Sequence, residues 1–434
     1  MKHICLHFQI HQPFFLRTYR FFDIGFDHYY YDDFSNKTNI FTLAKQSYIP
    51  MNKILLDIIK KQKNKFKVSF SISGTALEQF EQFTPEVIES FQKLAETGKV
   101  EFTAQPYSHS LVSVKSEKEF TKQVQLHSNK IKELFGKKPT VFHNSHFIYS
   151  DEIGELIHKM GFKGVIAEGA KHILGWKSPN FMYYNAHNPK LKILLRNYKL
   201  SDDIALRFSE KSWDQWPLTA QKISQWINNF PKDEEIINLC MDYETFGVHQ
   251  TKNSGIFDFM KSLPETILAQ TDFTFSTPSD ILKKEQPVSV LSVPNYTSNV
   301  DEERNLSPWL GNNLQLEAFN ALYKNAHQID LVEDAEIQHD WIKLQNSDHL
   351  YFMSTNFFVD GGSPLKNNPY ATPYEAFINF MNVIGDFNDR IEKAPKKLQY
   401  SQLTDDEINE QIAEHSTALE QLIELKKTSK TQTN

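Results

Sequence analysis

Residues 139–155 read PTVFHNSHFIYSDEIGE. A short β-prone run, Thr140-Val141-Phe142, passes into a polar turn that carries His143 and His146. Ser150-Asp151-Glu152 then supplies the start signal of a helix. Strand, polar turn and helix in that order are half of a β-α-β unit, whose strands pair in parallel. Folds made of such units carry their working side chains just past the carboxyl ends of the strands. Two histidines three residues apart at such a point are therefore candidates for chemistry.

The same pattern recurs on both sides. Apolar or β-branched runs fall at 3–10, 66–72, 99–104, 139–143, 162–168, 191–196 and 235–243, with a weaker one at 273–277. Helix-like segments lie between them, for example Glu117 to Phe135. Seven or eight such units predict an α/β fold with a closed or nearly closed barrel of parallel strands. Polar clusters follow the runs repeatedly: His11-Gln12-Pro13, Ser73-Gly74-Thr75, Gln105 to His109, His143 to His146, and Asp242-Tyr243-Glu244. The opposite strand ends carry Lys65, Lys99 and Lys138 without such clustering. One face is thereby marked as the active one.

The last third reads differently. Trp309 to Asn313 opens a helix with Leu316, Phe319, Leu322 and Tyr323 on one side. Thr372-Pro373-Tyr374-Glu375 forms a capping box with proline at the first helical position. Tyr374, Phe377, Met381, Ile384, Phe387 and Ile391 continue as a stripe. Thr404 to Glu407 caps a further helix with Ile408, Ile412, Leu419, Leu422 and Leu425 inward. The expected division is a barrel over 1–285, a helical domain over 286–425, and a polar tail over 426–434.

Of 434 residues, 54 are acidic and 47 basic, for a net charge of -7. That balance gives no electrostatic reason to expect nucleic acid or an anionic membrane as partner, and a neutral substrate fits better. Two cysteines, Cys5 and Cys240, both in strand-like runs, suit a reducing compartment. The amino terminus lacks the pattern of a signal peptide, and no 18-residue apolar span occurs. The cytoplasm is the expected location.

Asp242 and Glu244, two apart at a strand end, are expected on one face, where an apolar wall would raise a carboxyl's pKa and suit it to general acid work. The plain alternative is that they cap the next helix. Among aromatics, Tyr29, Tyr30 and Tyr31 cannot all turn inward, so Tyr31 with its neighbour Asp32 is a candidate ligand contact. Trp176, Trp213, Trp216 and Trp309 are more simply packing residues.

Several of these motifs, in order, resemble those of glycoside hydrolase family 57, in its α-amylase and α-amylase-like branch. They are HQP at 11–13, KVEFTAQPYSHS at 99–110, FHNSHFIYSDEI at 142–153, MDYETFG at 241–247 and PWLGNNLQ at 308–315. The resemblance implies an incomplete seven-stranded barrel followed by a helical bundle, acting on α-1,4-linked glucan with retention and without a cofactor. It gives Asp242 as acid/base and puts His146 where the family has its nucleophilic Glu, with His143 at an Arg-like position. Gln105 and Val248 stand where acids are expected. His11, Gln12, His109, Glu244 and Trp309 fall among the implied sugar contacts.

Three functions remain open from sequence. One is a glucan-binding protein with impaired hydrolysis. A second is an active hydrolase that uses another carboxylate, such as Glu244. A third is a metal-dependent carbohydrate-modifying enzyme built on His11, His109, His143, His146 and Asp242.

Overall fold

The computed structural model describes residues 2–356 and 368–396, together with Ser416. Each expected run forms a strand, trimmed at its polar margins. Seven of them are β1 (Lys2–Ile10), β2 (Val68–Ile72), β3 (Val100–Phe102), β4 (Val141–His143) and β5 (Gly164–Glu168), then β7 (Lys192–Arg196) and β8 (Ile236–Asp242), with a further strand, β6 (Met182–Asn185), between β5 and β7 in the chain. All but β6 stand parallel, in the order β8-β1-β2-β3 and β4-β5-β7. A single bridge, Ala104↔Phe142, joins β3 to β4, and one register pair, Arg196↔Asn238, joins β7 to β8. The result is an incomplete seven-stranded barrel, its ring not closed by continuous ladders.

The weak eighth run becomes Phe273–Phe275 and pairs with the lower end of β1, Lys2 to Ile4, while β2 pairs with the upper end, His7 to Ile10. One nine-residue strand serves both neighbours, so no eighth stave is added. Two strands were not expected. Met182–Asn185 folds back antiparallel on β7, and Ser289–Leu291 pairs with it in turn. Both are too short to carry a periodic signal and lie outside the ring.

Local caps fix where each rim residue sits. The helix Glu117–Phe135 starts at Ser116, whose hydroxyl accepts from the Glu119 amide, and ends at Gly136 with φ 79°. Ser150 caps Asp151–Lys159 by accepting from Ile153 N. Gly74 is needed for close approach, because a Cβ there would meet the Tyr107 ring at 2.4 Å.

Beyond the barrel lie the helices Asn313–Tyr323, Ala335–Leu344 and Pro373–Lys393, packed around Trp309, Trp341 and Phe387. At Thr372 the expected box is half formed: the hydroxyl accepts from Glu375 N, but the Glu375 carboxylate accepts from Ala371 N. The buried stripe of that helix runs through Phe380, Val383, Ile384 and Phe387, and Tyr374 is exposed. Apart from Ser416, the expected helix after Thr404 and the tail over 426–434 lie outside the described residues. Among the described residues, no helix is long and apolar enough to cross a membrane.

Candidate functional site

A cavity of about 360 Å³ opens at the carboxyl ends of the strands. His11 and Gln12 reach it from β1, His109 from the turn after β3, His146 from the turn after β4, and Asp242 and Glu244 from β8. Trp309 and Asp348 enter from the helical region.

Asp242 ends β8 and is exposed. Glu244 does not share its strand face, because the chain leaves the strand at Tyr243 and turns through Tyr243–Thr245. The expected period-two relation therefore fails. The turn buries Glu244 below Asp242, where Gln12 Nε2 donates to its carboxyl at 3.0 Å and the Tyr48 hydroxyl donates as well. Burial first, then the Asp242 charge, pushes the Glu244 carboxyl up to about 7. The raised pKa expected of a carboxyl at this strand end is found at Glu244.

Histidines dominate the opposite wall. The His11 ring stacks on His109 at 4.2 Å, and His146 meets His109 edge-on at 4.4 Å and Trp309 at 4.3 Å. His109 and His146 both adopt left-handed backbone, with φ 54° and 51°. Such conformations persist where the surroundings over-determine them and gather at functional sites.

Donor and acceptor inventory fixes the state of His146. The Ser347 hydroxyl has one hydrogen and donates it to the His109 carbonyl at 2.6 Å. Its contact with His146 Nε2 at 2.8 Å must then be donated by the ring. The proton sits on Nε2, and Nδ1 holds the ring's lone pair. Burial pushes the imidazole down to about 3, against the pull of Asp348, so the ring is neutral at ordinary pH.

Behind this wall a hydrogen-bonded relay crosses the barrel. The Gln105 Oε1 atom can only accept, so His109 donates from Nδ1 at 3.1 Å and accepts at Nε2 from the Gln9 amide at 3.4 Å. Gln9 Oε1 in turn accepts from His143 Nε2 at 2.9 Å. His143 Nδ1 accepts from His7 Nε2 at 3.1 Å, and His7 Nδ1 accepts from Ser69 at 2.9 Å. Every ring in the chain is neutral, and burial holds His7, His109 and His143 below the usual imidazole range. The relay ends at Gln105, whose buried Nε2 has no partner among the described residues.

The residues 5–294 match the family model of glycosyl hydrolase family 57. The chain belongs to glycosyl hydrolase family 57. It is 37% identical over 382 residues to a Methanocaldococcus jannaschii protein named "Putative alpha-amylase", covering 86% of this chain and 80% of that one. Two solved structures share the fold. A branching enzyme of Thermococcus kodakaraensis superposes with TM-score 0.64 at 11% identity, over 89% of this chain and 90% of that one. A 4-alpha-glucanotransferase of Thermococcus litoralis gives 0.61 at 14% identity, over 88% of this chain and 59% of that longer one.

Within this family 57 member, two expected contacts lie elsewhere. Tyr31 is buried and donates to Asp340 at 2.9 Å, and Asp32 caps the helix Asp33–Leu43 by accepting from Ser35 N. Packing in the helical region claims the one, and an unpaired helix amide claims the other; neither lines the cavity. Among the described residues no three or more His, Cys, Asp or Glu are grouped to hold a metal ion. Apart from His146 Nδ1, the ring nitrogens of the histidines expected as ligands are hydrogen-bonded to His7, Gln9, Ser73, Gln105, Ser347 and Asp348.

Asp348 was not foreseen. It accepts from His11 Nε2 at 2.8 Å, and although burial works against its charge, that bond and the His11 charge hold the carboxyl below its ordinary range. It lies 337 positions from His11 in a helical stretch, and the polar run Gln345 to His349 around it gives no sign of a site.

Proposed function

We propose that this protein binds α-1,4-linked glucan (starch, glycogen or maltooligosaccharide) in the 360 Å³ cavity and hydrolyses it weakly or not at all. A retaining glycosidase works with two carboxyls about 5 to 5.5 Å apart, one moving a proton and the other attacking the anomeric carbon. In this reading Asp242 is the surviving acid/base, and His146 occupies the nucleophile's position. His11, Gln12, His109, Glu244 and Trp309 line the sugar. The neutral, Ser347-held state of His146 carries the reading. A neutral ring brings no anion to face the positive charge that develops at the anomeric carbon. In a serine protease, loss of the covalent nucleophile costs on the order of 10⁶ in turnover.

The unpaired Gln105 amide supports the same view, since a carboxylate there would leave no buried donor without a partner. The barrel, taken as 1–285, supplies the acid, and the helical part, taken as 286–425, supplies Trp309 and Ser347. Two buried thiols fit the cytoplasm as compartment. The test is reducing-sugar release from maltoheptaose by the wild type and by the combined His143→Arg, His146→Glu and Gln105→Glu variant, with binding measured by calorimetry. Wild-type release as fast as the variant's ends the impaired-catalyst half, and absent wild-type binding ends the other.

Asp348 supports a second reading. Inverting enzymes place a water between carboxyls about 6.5 to 9.5 Å apart, and Asp348 is an ionised carboxylate in the cavity that also holds Asp242. Any residual hydrolysis would then yield the inverted anomer by NMR and vanish in Asp348→Asn.

A further inference from the structure

The larger cavity of this face, about 880 Å³, lies beside the first and shares Asn299 with it as a common wall. Ligand cavities run from roughly 300 to 1,000 Å³, so the first alone is small and the second is near the top of that range. The wall between them is built, not incidental. Asn299 N donates to the His146 carbonyl at 3.0 Å, which ties the wall to the candidate catalytic turn. Arg304 donates to the Asn299 carbonyl from one guanidinium nitrogen and to Asp202 from another at 3.1 Å. The same guanidinium lies 5.4 Å from the Tyr198 ring centre, so one side chain braces both the partition and an aromatic ring of the second cavity. Asp301 and Arg304 hold left-handed backbone there, with φ 59° and 52°.

The lining also has a definite chemistry. Lys171, Arg207 and Arg304 face Asp202, Asp301 and Glu302, so the charges cancel in number. Such a surface favours neither an anion nor a cation. It offers donors and acceptors beside a ring, which is what a neutral polyol with one apolar face needs.

We infer that the two cavities form one cleft across Asn299 and that the second is a binding site for further residues of the same glucan, with Tyr198 as its stacking platform. The inference rests on the glucan reading above and deepens it: the ligand is a long chain, not a di- or trisaccharide. Maltotriose fills the first cavity, and maltoheptaose reaches both.

Calorimetry of the full chain with these two sugars separates the claims. The wild type is expected to bind maltoheptaose about tenfold more tightly than maltotriose, equivalent to roughly 1.4 kcal/mol. Tyr198→Ala removes that preference and leaves maltotriose binding unchanged, while Tyr198→Phe retains it. Glu302→Ala, at an exposed position whose loss cannot unfold the chain, weakens maltoheptaose alone by about threefold. Equal wild-type affinity for both sugars overturns the inference and spares the glucan reading. So does a preference that survives both Tyr198→Ala and Glu302→Ala. Binding of neither sugar overturns both.

Discussion

The rim of the barrel is unlike at its two working strands. At the end of β8 stand two carboxyls, one exposed at Asp242 and one buried at Glu244 beneath it. At the end of β4 stand neutral imidazoles, His143 hydrogen-bonded into a chain and His146 edge-on to His109. In the proposed reading the first region keeps the group that moves protons. The second holds its side chains just as firmly but has no anion. Rigidity and polarity are thus separable from reactivity: a wall can be fully ordered by hydrogen bonds and still lack the charge that retention needs.

The sharpest way to break the contrast is to make the β4 side ionic again. The combined His143→Arg, His146→Glu and Gln105→Glu variant is expected to raise maltoheptaose turnover about 10³-fold or more over the wild type. His146→Glu alone should gain far less, because its carboxylate would sit among neutral rings with no cation to pair it. Reducing-sugar assays on the two variants check the difference, and equal gains would show that the relay does not matter.

Next in size is stability. His143→Ala removes the middle of the relay and strands His7 Nε2 and Gln9 Oε1 as buried groups. The expected loss is about 3 kcal/mol, read from urea unfolding. The buried histidines also predict acid lability. His7 and His146 are pushed down to about 3, and His127 and His349 to about 4, all by burial. Below pH 6.5 the unfolded chain takes up protons that the folded one refuses, so stability falls as pH falls. Each such histidine contributes up to about 1.4 kcal/mol per pH unit until its folded value is reached. Glu244 runs the other way, since its folded value near 7 costs stability as pH rises from about 4.5. His3, His109 and His143 are held down as well, and of the raised carboxyls Glu244 is the one pushed as far as about 7, so the acid side dominates and Tm should drop steadily from pH 6.5 to 5.

The smallest effect is expected at Asp242. Asp242→Asn sits on an exposed side chain and should change stability by less than about 0.5 kcal/mol. In the combined variant, however, the same change should remove about 10² to 10⁴ of the gained turnover.

Much of the barrel was legible because its signals are local. Parallel strands buried on both faces read as apolar runs, and caps such as Ser116, Gly136 and Ser150 are short motifs. The short antiparallel Met182–Asn185 escaped because four residues carry no period, and its edge pairing depends on β7. At the site, residues past strand ends could be named, since strand order puts them on one rim. Tyr31 was misplaced because an aromatic triplet says that one ring turns out but not which; Tyr29 is the half-exposed member.

The amino-acid order alone determined the alternation of strands and helices, the rim that carries polar side chains, and the family. These depend on spacing along the chain. The protonation of His146, the burial of Glu244, the arrival of Asp348 and Ser347 at the cavity, and the cleft across Asn299 were decided only by the packed molecule. Each depends on desolvation or on contacts between segments hundreds of residues apart, and neither quantity exists until the chain has closed on itself.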